Sequence, residues 1–167
     1  MPTKDVDRAH SRFISAVKRI RAGLVLERSR IIDVADAAPA LLEGQPYEVK
    51  DLTGVPDNDI DYYAFELGRL QDSAREMIKV FDSPPELVAA LGAFELALPK
   101  LRQARNPLTH PSDDARLDRA AWFSAFVNVH PDGSVEYLFD PRYQDHEAAL
   151  ALADTLIAYL RAGIQAR

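Results

Sequence analysis

Apolar residues recurring at alternating three- and four-residue steps constrain this chain more than any other feature. Ile60, Tyr63, Leu67, Leu70, Ala74, Met77 and Phe81 form the cleanest series. At 3.6 residues per turn they share one face of a helix over about residues 59–82, and that face needs a covering layer. Val6, Phe13, Val17, Ile20, Leu24 and Ile31 predict an earlier helix over about residues 5–37, closed by Pro39 and Gly44-Gln45-Pro46. Leu87, Leu91, Phe94, Leu98 and Leu101 predict a third over about residues 84–106, with Ser83 as N-cap, Pro84 at the first position and Glu86 completing a capping box. Pro99 is expected to kink it by removing the bond to the Glu95 carbonyl. A last helix over about residues 146–162 turns Leu152, Leu156, Tyr159 and Leu160 inward. The fold class that follows is mainly α: a bundle of four long helices in a single domain spanning residues 1–167.

Between the third and last helices the pattern changes. Trp122 to Val129 and Val135 to Phe139 are rich in aromatic and β-branched residues, and the segment between them includes Asp132-Gly133. That pattern predicts a β-hairpin over about residues 122–139, inserted before the last helix. A lone two-stranded hairpin is marginally stable, so it is expected to pack on the helices or pair across a dimer.

The chain has 167 residues, enough for a hydrophobic core without covalent staples. It has no cysteine, which excludes disulfides and thiolate chemistry and is compatible with a reducing compartment. The charged start, Met1-Pro2-Thr3-Lys4-Asp5, is unlike a signal peptide. The richest apolar run, near Ala148–Leu160, is interrupted by Asp154 and too short to span a bilayer. A soluble cytoplasmic protein with no membrane partner is expected. The net charge of −6 argues against a surface that coats nucleic acid indiscriminately, though not against a local basic cleft.

Arg105-Asn106-Pro107-Leu108-Thr109-His110 carries the chemistry. Arg105 continues the apolar series of the third helix, where an unpartnered guanidinium does not belong. Either the stripe opens there into a polar cleft or dimer seam, or the helix ends first and Arg105 turns into water. Arg offers a planar fork of donors suited to phosphate oxygens, and His exchanges a proton near neutral pH. Five residues of straight helix rotate a side chain by about 140°, so the two groups point apart unless the backbone bends at Pro107. Asn106 adds a donor and an acceptor beside both. Arg105, Asn106 and His110 suit cleavage of RNA by its own 2′-hydroxyl. His110 moves the proton and Arg105 stabilises charge on the phosphate, with no metal or cofactor.

This arrangement resembles the HEPN superfamily (higher eukaryotes and prokaryotes nucleotide-binding domains). Its members are helical bundles carrying Arg, commonly followed by Asn or another polar residue, and a His after four to six intervening residues. Arg105, Asn106 and His110 match with four intervening residues, late in the third long helix. The resemblance implies a HEPN-like bundle with metal-independent endoribonuclease activity of the toxin or phage-defence type. It also implies a homodimer in which two motifs form one composite site, and an antitoxin or regulatory protein as a further partner. Pro99 and Pro107 depart from the pattern. Some members lack nuclease activity, so a non-catalytic dimeric module binding a nucleotide or a protein is the alternative, and a helical domain with no site is the plainest one.

Other polar residues are weaker candidates. His110, Asp113 and Asp114 match no metal-ligand spacing, so no metal is assigned. His130 and His146 are expected to be solvated, and His10 to lie at the core margin. Arg12, Lys18, Arg19 and Arg21 either track an RNA backbone or form a solvated face. Glu66 and Arg69 are candidates for a polar shell near Arg105. Tyr62, Tyr63 and Phe65 are expected to pack rather than to stack on bases.

Overall fold

The computed structural model describes residues 4–37, 57–104, 122–123, 127–129, 135–138 and 144–165. The protein is mainly helical, with α1 (Lys4–Ala37), α2 (Asp57–Val80), α3 (Pro85–Ala97) and α4 (Gln144–Gln165). Between α3 and α4 lie the short strands β1 (Trp122–Phe123), β2 (Val127–Val129) and β3 (Val135–Tyr137). Helix α2 touches α1, α3 and α4, while α4 packs against α1 and α3. Helices α1 and α2 run antiparallel. Arg30 reaches Asp59 near one end, and the Phe13 ring stands 6.0 Å from Phe81 near the other.

The periodic residues of α2 explain this arrangement. Tyr63, Leu67, Leu70, Ala74 and Met77 are wholly buried, covered by Val17, Ile20 and Leu24 of α1, Leu87 and Phe94 of α3, and Leu152, Leu156 and Leu160 of α4 within one core. Each full burial of a side chain of Leu or Met size contributes about 1.5–3 kcal/mol. Phe13 and Phe81 belong to the margin. They are half-buried, and Phe81 meets His10 at 4.8 Å and Tyr159 at 5.5 Å between ring centroids.

Both ends of α3 differ from expectation. Ser83 does not cap α3: Pro84 holds that position without a side-chain bond. Asp82 and Ser83 instead adopt left-handed backbone conformations, φ 59° and 57°, and the Ser83 N–H donates to the Ile78 carbonyl at 2.7 Å. That bond closes the end of α2 in the manner of a Schellman motif, which competes with a cap on the next helix. The third helix does not bend at Pro99 and continue to residue 106. It ends at Ala97, because a residue preceding proline is driven out of helical geometry, and Leu98 sits at φ −118°, ψ 62°. A short helical turn resumes over residues 101–104.

The expected two-stranded hairpin over 122–139 is also corrected. Residues 122–123 and 127–129 belong to separate strands; β1, β2 and β3 make a three-stranded antiparallel sheet in that order. Trp122 lies opposite Val129, and Val127 lies opposite Tyr137. A third strand relieves the marginal stability of two. Leu138, immediately after β3, is buried in the helical core.

Two glycines give a paired test of this packing. A Cβ on Gly163 would stand 2.8 Å from Nε2 of His10, a buried ring held against Phe81, whereas a Cβ on Gly92 meets nothing within 4 Å. In urea denaturation Gly163→Ala is expected to destabilise the protein by about 1–3 kcal/mol through overpacking. Gly92→Ala is expected to stabilise it by about 0.5–1 kcal/mol through helix propensity.

Candidate functional site

Arg105, Asn106 and His110, like Asp113, Asp114 and His130, lie outside the described residues. The structure does describe the backbone that leads into the motif. Past the break at Leu98, Leu101 donates its N–H to the Leu98 carbonyl, and Ala104 to that of Lys100. Leu98, Leu101 and Ala104 are all buried, so the apolar series reaches the residue before Arg105 through Ala104, a small residue that the periodic reading passed over. Arg105 therefore follows directly on a turn anchored in the core.

The described polar side chains line the seams between helices: Gln71 and Arg75 of α2 meet Glu95 of α3, and further groups lie where α1, α2 and α4 adjoin. Tyr63 and His146 meet at 2.9 Å between the phenol oxygen and Nδ1, both buried. His146 is thus not solvated. The last helix begins at Gln144, two residues earlier than expected, and this places the imidazole inside the first turn, against α2. Burial, with the positive charges of Arg28 and Arg21 behind it, lowers its pKa to about 4. The imidazole is neutral at pH 7. Nearby Arg21 grips Asp154 of α4, Nε to Oδ1 at 2.7 Å. That hydrogen bond raises the Arg21 pKa.

On the α2 side, Glu66 faces Gly23 of α1, where a Cβ would stand 3.4 Å from the Glu66 Cγ, at van der Waals contact. Glu66 Oε1 accepts from Arg69 at 2.8 Å, while Oε2 is buried with no hydrogen-bond partner. Burial raises the Glu66 pKa; Arg69 opposes this and the neighbouring Glu27 adds to it. Glu27, itself buried, accepts from Arg30, which also reaches Asp59 at 3.7 Å. Glu66 and Arg69 are therefore placed at the α1–α2 seam.

The three aromatics of α2 separate. Tyr63 is fully buried, but Tyr62 is 61% and Phe65 44% exposed, so packing accounts for one of them only. Helical phase carries the signal: Tyr63 belongs to the series through Leu67 and Leu70, whereas Tyr62 and Phe65 fall off it. His10 is buried beside Phe81. Among the described residues no three His, Asp or Glu side chains converge as metal ligands, and no helix is long and apolar enough to cross a membrane. Comparison with protein families, with characterised proteins and with solved structures finds no match to this chain.

His146 links stability to acidity. An unfolded chain takes up its proton near pH 6.5 and the native state only near about 4. Between those values the unfolded state holds more protons, so stability rises with pH. Urea midpoints measured from pH 7 down to pH 4 are expected to show a loss of about 2–3 kcal/mol from this group, largely absent in His146→Gln. Tyr63→Phe is expected to cost about 1 kcal/mol at pH 7, by leaving the imidazole nitrogen without its partner.

Proposed function

We propose that this protein is a HEPN-like, metal-independent endoribonuclease of the toxin or defence type. The observation that carries the reading is the spacing of Arg105, Asn106 and His110, set directly after a core-anchored turn in a mainly helical chain. In this reading the RNA 2′-oxygen attacks the adjacent phosphorus, forming a 2′,3′-cyclic phosphate as the bond to the 5′-oxygen breaks. An imidazole of His110 takes the 2′-proton, and another returns a proton to the departing 5′-oxygen, leaving a 5′-hydroxyl. Arg105 stabilises the charge that builds on the phosphate, and Asn106 orients one of these groups. One Arg–His pair supplies one proton carrier where the reaction uses two, so a second copy of the chain completes the site.

A feature of α3 supports the dimer. Apart from Glu86 in its first turn and Glu95, which pairs with Arg75 and Gln71 of α2, the outward residues of this helix are apolar: Val88, Ala89, Gly92, Ala93 and Leu96 are exposed, Leu96 to 83%. An outward apolar face of this extent is normally covered. The stripe lies a few residues before the motif, which suits a second copy as its cover.

Two measurements test this reading. His110→Ala and Arg105→Ala are each expected to slow cleavage of a single-stranded RNA about 100-fold or more, with cyclic-phosphate ends identified in the products of the parent protein. Cleavage undiminished in His110→Ala removes His110 from the mechanism. In light scattering the parent is expected to be a dimer, and Leu96→Glu a folded monomer with greatly reduced cleavage.

A further inference from the structure

The positive charge of this acidic protein is concentrated on one helix. From Arg8 to Arg30 the chain carries seven cations and a single acid, Glu27, although its total is −6. The structure sorts these cations by side. Arg21 and Arg28 turn towards α4, where Arg21 holds Asp154 and both bear on His146. Arg12, Arg19 and Leu26 follow one another at seven-residue intervals with Arg30 one turn further, positions that share the opposite edge of a helix. All four are exposed. Contacts of Gly23 with Glu66 and of Arg30 with Asp59 lay that edge alongside α2.

The adjoining edge of α2 presents Tyr62, Phe65 and Arg69, at steps of three and four residues, all exposed. The Arg69 guanidinium lies 6.0 Å from the centre of the Phe65 ring. The acids beneath, Glu27, Glu66 and Asp59, are largely covered and engage Arg30 and Arg69 only through Nη1. The Nε and Nη2 donors of both guanidinium forks remain outside those pairs. Exposed rings flanked by guanidinium groups are the combination that holds unpaired bases by stacking and their phosphates by charge. A double helix hides its base faces and would leave the rings unused. Asp72 and Glu76, exposed on the following turns of α2, repel an anionic strand and bound the surface at that end.

We propose that the outer α1–α2 seam, with Tyr62 and Phe65 between Arg19, Arg30 and Arg69, is a binding track for single-stranded RNA. The inference rests on the ribonuclease reading for its choice of RNA. Binding is measured by fluorescence anisotropy with a fluorescein-labelled dodecamer of uridylate, in the His110→Ala background so that the probe stays intact. Tyr62→Ala/Phe65→Ala is expected to weaken binding by about tenfold or more, with an unchanged circular dichroism spectrum. Arg19→Gln is expected to lessen the slope of log affinity against log salt by about 0.7, the loss of one phosphate contact on a single strand. A duplex of equal length is expected to bind more weakly.

Affinity unchanged in Tyr62→Ala/Phe65→Ala, or equal affinity for the duplex, overturns the track. So does conversion of a dimer to a monomer by that double substitution, which makes the face a protein interface. The two readings fail separately. Binding through these residues without cleavage by the parent protein removes the nuclease and leaves the track. Cleavage by the parent with binding indifferent to Tyr62 and Phe65 removes the track and leaves the nuclease.

Discussion

Burial of one face of α2 organises everything else in this molecule. From Tyr63 to Met77 its inward residues have no contact with solvent, and three other helices are needed to seal them. Apolar side chains supply the seal almost throughout, so polar groups are displaced to the seams between helices. Tyr63 marks the transition. Its ring lies in the core, while its hydroxyl reaches the edge and meets the imidazole of His146. A buried phenol requires such a partner, and a neutral imidazole provides one without the cost of burying a charge.

The two seams of α1 handle charge differently. Towards α4, Arg21 and Arg28 sit close enough to His146 to disfavour a third positive charge. Towards α2, the carboxylates of Glu27 and Glu66 are drawn inward and Arg30 and Arg69 lie over them. Gly23 of α1 lies directly against the Glu66 side chain at this seam. The result is a protein acidic in total yet cationic along one helical edge. Local placement, rather than net charge, decides what such a surface attracts.

Proline governs the approach to the Arg105 motif. Because Leu98 precedes Pro99, α3 stops after 13 residues and the chain turns before resuming helical geometry at residue 101. Leu98, Leu101 and Ala104 hold this turn to the core, so the break redirects the chain without freeing it. A cation and an imidazole following such a turn need not lie on the face that a straight helix would dictate.

The helical class, the inward residues of α2 and the inner stripes of the other helices were legible in the sequence, because the 3.6-residue period leaves a linear record of which face is buried. The ends of elements were less so. Ser83 has the chemistry of a cap, but a competing closure of α2 claims its backbone. Trp122 to Val129 has the composition of one strand and is divided into two. The candidate motif was legible as spacing, whereas the surroundings of Glu66, His146 and Tyr62 were not. Whether a histidine is solvated or sealed, and whether an aromatic ring faces a core or the solvent, depends on which helix lies beside it. Residues 63 and 146, or 23 and 66, are brought together by packing between distant segments. Periodicity within one helix is therefore written in the chain itself, while the seams between helices, with their charges and exposed rings, exist only once the helices have found one another.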